Sequence, residues 1–301
     1  MSQRLLFRSL SNDQSNGDFN NTPLGDVGFI DAHVHFWKYE KIRYTWITDD
    51  MKTLQQDYLP QTIAGTLRRN GIDSCIAVQA DQSELETLFL TELSKTHNII
   101  RGVVGWIDLQ NQNIEERLHY FSQYSIIKGW RHIVQSEPDN FLLRPDFQKG
   151  ISSLQQYNYT YDVLIYPRQL KAALEFVSKF PEQKMVIDHC AKPDIAGKKI
   201  DEWTILMREM AKYPNVYCKL SGLFTEAKWK GWSPAEFYPY FDVVFKAFGT
   251  ERLLFGSDWP VILLSGMYVQ WKSLLEKYME NFDKEEKEEI FGGNAAKFYN
   301  L

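Results

Sequence analysis

From residue 28 onward the chain repeats one unit eight times, a short apolar run followed by a longer segment of helical period. The apolar runs fall at 28–33, 74–79, 102–107, 127–133, 161–165, 185–188, 216–219 and 253–256. The helical segments fall at 61–70, 84–97, 114–124, 145–157, 167–179, 200–213, 234–248 and 267–281. Strands that alternate with helices argue for βαβ units and a parallel sheet. Eight such units in about 250 residues have the size of a closed (β/α)8 barrel. The rival is an open doubly wound sheet, which carries a Gly-rich phosphate loop after its first strand. Here that place holds His33-Val34-His35. The expectation is an α/β chain forming one TIM barrel over 28–301. Residues 9–27 are rich in Ser, Asn, Asp and Gly without apolar periodicity, so 1–27 is expected to be a mobile leader.

Local signals support the helices. Pro145, Pro167 and Pro234 stand where a first helical turn tolerates a missing N–H. Ser83 and Glu86 have the spacing of a capping box. Asn70-Gly71 can close a helix at positive φ. Segment 37–59 is long for a connection between a strand and a helix and is expected to cover the barrel mouth. The stretch 283–290 reads as a charged, solvated helix, and 295–299 as a segment that docks back on the barrel.

Composition narrows the function. A net charge of −5 argues against nucleic acid as the main partner, because phosphate binding needs a basic surface. No apolar run approaches the roughly 18–20 residues of a membrane span, and the first ten residues, MSQRLLFRSL, do not make a secretory signal. Cys75, Cys190 and Cys218 are odd in number and set in apolar runs, the pattern of reduced core thiols. A cytoplasmic protein acting on a small molecule is expected, with no nucleic-acid or membrane partner. Exposed aromatics on a barrel flank would allow a homodimer.

In such a barrel the chemistry lies at the C-terminal ends of the strands, and four of the six histidines fall there. His33 and His35 are two residues apart in a strand, so they point the same way, and Asp31 should share their face. The second strand ends in Gln79, the fourth in Arg131-His132, the sixth in Asp188-His189, the seventh in Lys219, and Asp258 follows the eighth. His97 and His119 lie in helical stretches and read as surface or packing residues. His33, His35, His189 and Asp258 have the ligand types of a zinc-like catalytic centre with room for water. Taken singly, each has a plain structural reading: a strand histidine satisfied by a neighbour, or a helix N-cap at Asp258. Asp188 should point away from His189 and serve as a structural partner.

The segments His33-Val34-His35-Phe36-Trp37, Gly129-Trp130-Arg131-His132, Ile187-Asp188-His189-Cys190-Ala191-Lys192-Pro193, Lys219-Leu220-Ser221-Gly222 and Gly256-Ser257-Asp258-Trp259-Pro260 occur in that order. Together they resemble the amidohydrolase superfamily, in the branch of TIM-barrel hydrolases that includes fuconolactonase-like and rhamnonolactonase-like sugar lactonases. The ending Asn294-Ala295-Ala296-Lys297-Phe298-Tyr299 is similar as well, so the likeness spans about residues 28 to 300. It implies a (β/α)8 fold and hydrolysis at a carbon centre. Many superfamily members hold two metals through a carboxylated Lys or a Glu on the fourth strand and a His on the fifth. Here those places offer Arg131-His132 and Tyr166, so a two-metal centre is not expected. What remains is one divalent metal ion of zinc-like chemistry, or metal-independent work by the same side chains.

The expected reaction is opening of a small lactone by water, with Asp258 as the base and His189 in the catalytic set. His33, His35 and His189 would hold the metal or act directly as donors. Arg131 or His132 would be a further donor to the oxyanion, since strand alternation lets only one of them face the lumen. Trp37, Tyr44, Trp46, Gln79, Lys219 and Trp259 are the expected substrate-binding residues. Two other readings compete. A nonoxidative decarboxylase on the same barrel would release carbon dioxide from an aromatic acid and leave sugar lactones untouched. A noncatalytic barrel would bind a metabolite without turnover.

Overall fold

Eight strands pair in chain order as parallel neighbours: β1 (Ile30–Val34), β2 (Ser74–Val78), β3 (Ile100–Gly105), β4 (Ile127–His132), β5 (Thr160–Val163), β6 (Met185–Ile187), β7 (Val216–Leu220) and β8 (Leu253–Phe255). The computed structural model describes residues 28–301, so the leader expected over 1–27 lies outside the described residues. The sheet closes between its first and last strands. Val34 bridges Trp259 in parallel, His35 N donates to Trp259 O at 2.7 Å, and Asp258 N donates to His33 O at 2.9 Å. The expected barrel is what forms.

The helices α1 (Pro60–Arg69), α2 (Glu84–Thr96), α3 (Ile114–Phe121), α4 (Pro145–Leu154), α5 (Leu170–Ser178), α6 (Asp201–Met210), α8 (Tyr238–Phe248) and α9 (Tyr268–Tyr278) match the eight helical segments, and a short α7 (Leu223–Glu226) follows β7. The prolines act as their position implies. Pro60 and Pro145 open α1 and α4, while Pro167 and Pro234 open 3-10 turns that lead into α5 and α8. The charged helix appears as α10 (Lys284–Glu288), capped by Asp283. No helix among the described residues is long and apolar enough to cross a membrane.

Strand alternation divides the core in two. Outward-facing residues such as Cys75, Val103, Trp130, Tyr161, Ile187 and Cys218 pack under the helices. The three cysteines are buried free thiols. Inward-facing Ile30, Ala32, Ile76, Val78, Val104, Val186 and Leu254 fill the lower lumen, where α11 (Asn294–Tyr299) inserts Ala295, Phe298 and Tyr299 from below. Above that apolar plug the inward positions become polar, at Arg131, Asp162, Asp188 and Lys219, all buried. An ionic layer therefore separates the apolar floor from the mouth.

Two local expectations need correction. A register shift in β1 between Asp31 and Val34 changes which side chains face the lumen. Ile30 and Ala32 point inward below the shift and His33 and His35 above it, so Asp31 does not share the histidines' face. Its carboxylate instead accepts from Ser257 N at 2.8 Å and His33 N at 3.1 Å, tying β1 to the chain after β8. The capping box at α2 is half formed. Ser83 Oγ accepts from Glu86 N at 3.2 Å, but the Glu86 carboxylate turns inward and accepts from Ala80 N, Tyr44 Oη and Arg43. Those last two bonds pin segment 37–59 to the start of α2.

Candidate active site

At the C-terminal mouth of the barrel three imidazoles surround one carboxylate oxygen. Asp258 Oδ1 lies 3.3 Å from His35 Nε2, 3.8 Å from His33 Nε2 and 4.0 Å from His189 Nε2. His33 in β1 and His35 just past its end bring their Nε2 atoms within 3.2 Å of each other. Asp258 and all three histidines are buried. The plain reading of each histidine as satisfied by a neighbour is met on its Nδ1 side, by Val78 O, Asp188 and Ser221, while the Nε2 atoms converge on Asp258. Asp258 is not the N-cap of the 3-10 turn Val261–Leu264, a place taken by Pro260.

The tautomers follow from the fixed partners. His35 Nδ1 is 2.8 Å from the carbonyl oxygen of Val78, which can only accept. His35 is thus protonated on Nδ1 and its Nε2 carries a lone pair. His33 Nε2 lies 3.2 Å from Arg131 Nη1, which can only donate, so it too presents a lone pair there, while its Nδ1 faces Lys219 Nζ at 3.2 Å and Asp188 Oδ1 at 3.4 Å. Two bare nitrogens and a carboxylate oxygen then meet with no proton assigned between them. Such a set repels itself unless a cation sits among its members. Tetrahedral ligands bound at 2.0–2.1 Å are separated by about 3.3–3.4 Å, close to the shorter spacings seen here. Among the described residues His33, His189 and Asp258 form the one cluster of metal-ligating side chains whose donor atoms all lie within 4.8 Å. The donor chemistry fits a single divalent cation.

Electrostatics agree with that donor set. Burial pushes His33 well below its ordinary value and His189 down to about 4, so both are neutral at neutral pH and able to ligate. Burial works to raise the Asp258 carboxyl, but its neighbours His189, His35 and Lys192 outweigh it and hold it below the usual range. Asp258 is therefore ionised.

His189 arrives by an unusual path. After β6 the backbone enters the left-handed region at four consecutive non-glycine residues: His189 (φ 54°), Cys190 (φ 52°), Ala191 (φ 57°) and Lys192 (φ 50°). Each such residue costs about 1–2 kcal/mol. Strain of this kind persists where surrounding structure enforces it and gathers at functional sites. The turn is held by Lys192 N donating to His189 O at 2.8 Å, and by Trp203 Nε1 donating to Cys190 O at 2.8 Å. Because the chain leaves strand geometry here, Asp188 and His189 both reach the centre, contrary to the expectation that they point apart. Ser221 Oγ, 2.8 Å from His189 Nδ1, orients the ring. Asp258 also has positive φ, at 59°.

Beneath the histidines lies the ionic layer. Asp188 accepts from Arg131 Nη1 at 2.9 Å and sits 3.0 Å from Lys219 Nζ, which also donates to Asp162 at 2.5 Å. Tyr299 of the floor donates to Asp162 at 2.9 Å. Arg131 further donates to the backbone and side-chain oxygens of Gln79.

The other expected site residues divide. Arg131 faces the lumen. His132 does not: it points outward, stacks on Phe141 at 4.7 Å, and lies between Glu137, 3.1 Å from Nε2, and Trp106, whose indole donates to Nδ1 at 3.4 Å. Gln79 and Lys219 have no accessible surface, because the ionic layer engages them. Trp37 and Tyr44 are likewise sealed. Trp37 Nε1 donates to Gln56 O at 2.9 Å, and Tyr44 Oη is bound to Glu86. Trp259 packs edge-on against Tyr58 and is 4% exposed. Trp46 is half-buried, with Nε1 donating to Ala80 O. The aromatic group thus forms the wall behind His35. Asp162 and Tyr299 were missed, although an aspartate between Tyr161 and Val163, inside an apolar run, is a visible signal.

The amidohydrolase family model matches residues 30–301. An L-fucono-1,5-lactonase of Burkholderia multivorans is 38% identical over 284 residues, 90% of this chain and 96% of its own length. An L-fucono-1,5-lactonase of Burkholderia ambifaria is 33% identical, over 90% of this chain and 95% of its own. A crystal structure of an amidohydrolase from Burkholderia multivorans with bound zinc superposes with a TM-score of 0.87 at 38% identity, over 91% of this chain and 99% of the other. With the barrel, the ordered motifs and a match running from β1 to the last residue, the chain belongs to the amidohydrolase family.

Proposed function

We propose that the protein is a hydrolase that opens a sugar lactone, with Asp258 as the base that activates water. The observation that carries this reading is the meeting of an ionised, buried Asp258 with the bare nitrogens of His33 and His35 at the mouth of the barrel. The two L-fucono-1,5-lactonases support a sugar lactone as the substrate class.

His33, His35, His189 and Asp258 would hold one divalent ion, and the zinc bound in the related amidohydrolase supports zinc-like chemistry. Such an ion, when bound, supplies Lewis acidity toward a carbonyl oxygen and lowers the pKa of water. The remaining work belongs to the chain. Asp258 removes a proton from water as the water oxygen bonds to the lactone carbonyl carbon. The ring C–O bond then breaks, its electron pair stays on the ring oxygen, and that oxygen takes the proton Asp258 removed. Arg131, bound to Asp188 and Gln79, orients His33 from below and keeps positive potential under the carbonyl.

The test is Asp258→Asn assayed on a panel of sugar lactones with a pH indicator. Loss of turnover by at least about 100-fold is expected, in the range for removing a positioned base. Near-parental turnover would remove Asp258 from that role.

A further inference from the structure

We propose that Lys192 is a substrate-contacting residue that donates a hydrogen bond to the ring oxygen of the lactone as it leaves, with Glu226 holding its ammonium in place. The inference rests on the lactonase reading and deepens it. Three consecutive connections at the barrel mouth build this feature. Lys192 follows β6, its Nζ sits 3.5 Å from Glu226 Oε1 after β7, and it lies 5.4 Å over the ring of Tyr166 after β5.

The backbone explains why it faces the centre. A 3-10-like turn has three residues per turn, so residues three apart stand above one another. The left-handed turn from His189 to Lys192 therefore presents both side chains on one side. One end of the turn supplies a nitrogen to the Asp258 cluster and the other supplies a cation.

The neighbouring cations are already committed. Arg131 is bound to Asp188 and Gln79, and Lys219 to Asp162 and Asp188, both sealed below the histidines. Lys192 keeps 14% of its side chain accessible and Glu226 keeps 16%. Among the described residues Glu226 is the one carboxylate within 4.0 Å of that ammonium, and the spacing exceeds a hydrogen bond. An ammonium carries three donors, so protons remain for a ligand.

In the reaction Lys192 transfers no proton. Water's oxygen bonds to the carbonyl carbon, the ring C–O bond breaks, the electron pair goes to the ring oxygen, and the proton from Asp258 follows. Lys192 lowers the energy of the alkoxide as it forms. That role predicts dependence on the leaving group, which mere packing would not show.

The experiment compares the parent with Lys192→Met, Lys192→Arg and Glu226→Gln on a sugar lactone and on the matching thiolactone, whose thiolate leaves without such help. Zinc content and melting temperature are read on the same samples. Lys192→Met should lose about 100-fold in kcat/KM on the lactone, the scale for one lost donor in the transition state. It should lose under about 10-fold on the thiolactone, with zinc content unchanged. Lys192→Arg should recover most of the loss, and Glu226→Gln should fall between them. Equal losses on both substrates, or a Lys192→Met loss on the lactone under twofold, would overturn the proposal while leaving the lactonase reading intact. A parent inactive on every sugar lactone would instead overturn that reading and this inference with it.

Discussion

Asp188 Oδ1 stands 3.4 Å from His33 Nδ1, both wholly buried, and joins the candidate metal-binding face of the site to the ionic layer beneath. A carboxylate behind a ligating histidine fixes its tautomer and raises its basicity. Here the same carboxylate also balances Arg131 and Lys219. The pairing explains how two cations tolerate burial beneath the histidine cluster.

Asp188→Asn should therefore damage metal retention before it damages the mouth. An outer partner of a ligating histidine typically contributes 10–100-fold to metal affinity. For protein loaded with a divalent metal, the expected outcome is loss of that metal to a chelator at a concentration 10–100-fold lower than the parent requires. Loss of the shared counter-charge should also destabilise the fold by about 3–5 kcal/mol, the scale for breaking a buried ion pair. Chelator titration followed by metal analysis checks the first point, and urea unfolding checks the second. An unchanged chelator midpoint would mean that Asp188 does not act through His33.

Glu86 gives the fold a pH dependence separate from the reaction. Its side chain is fully buried, and burial pushes its carboxyl up to about 7 against the opposing pull of Ala80 N, Arg43 and Tyr44. The unfolded chain releases this proton near the ordinary glutamate value, whereas the folded chain keeps it to about 7. Between those values the native state binds more protons, so stability falls as pH rises through that window. Glu86→Gln mimics the protonated form and should lack that part of the slope. Melting temperatures of the two proteins between pH 4.5 and 7.5 check this. The parent should lose ground relative to the variant as pH rises, and parallel curves would place the Glu86 proton elsewhere.

Much of this architecture is written in hydrophobic pattern. Strands buried on both faces read as short apolar runs, so all eight were recognisable, and the placement of His33, His35, His189 and Asp258 at their ends followed from barrel geometry. The ionic layer was less visible, for physical reasons. Lys219 at a strand end looks the same in sequence whether it reaches up to a ligand or down to Asp162. Which it does depends on partners 57 residues away in the chain. Asp31 was misassigned because one irregular residue step in β1 reverses every face beyond it. Asp188 and His189 were thought to diverge because alternation holds only while φ stays extended, and φ at His189 is +54°. The long 37–59 segment offered aromatics that suit a sugar site equally well as wall or as contact. Only their hydrogen bonds to Gln56, Ala80 and Glu86 assign most of them to the wall.

Two glycines with the same backbone angle separate the needs of the fold from those of the site. Gly71 and Gly222 both have φ of +68°. A Cβ on Gly71 would meet nothing within 4 Å, whereas one on Gly222 would lie 2.5 Å from His189 Nδ1. Alanine at either position carries the left-handed cost of about 1–2 kcal/mol. Only at Gly222 must the imidazole also move away from Ser221 and Asp258. Gly71→Ala should therefore lower the melting temperature by a few degrees and leave kcat/KM on a lactone within about twofold of the parent. Gly222→Ala should add a loss of about 100-fold in kcat/KM, because a shift near 1 Å in a catalytic group can cost that much. Activity measured well below both melting temperatures isolates the difference. Equal activities in the two variants would show that His189 can shift without consequence, and the three-imidazole arrangement around Asp258 would then hold one member more than the reaction needs.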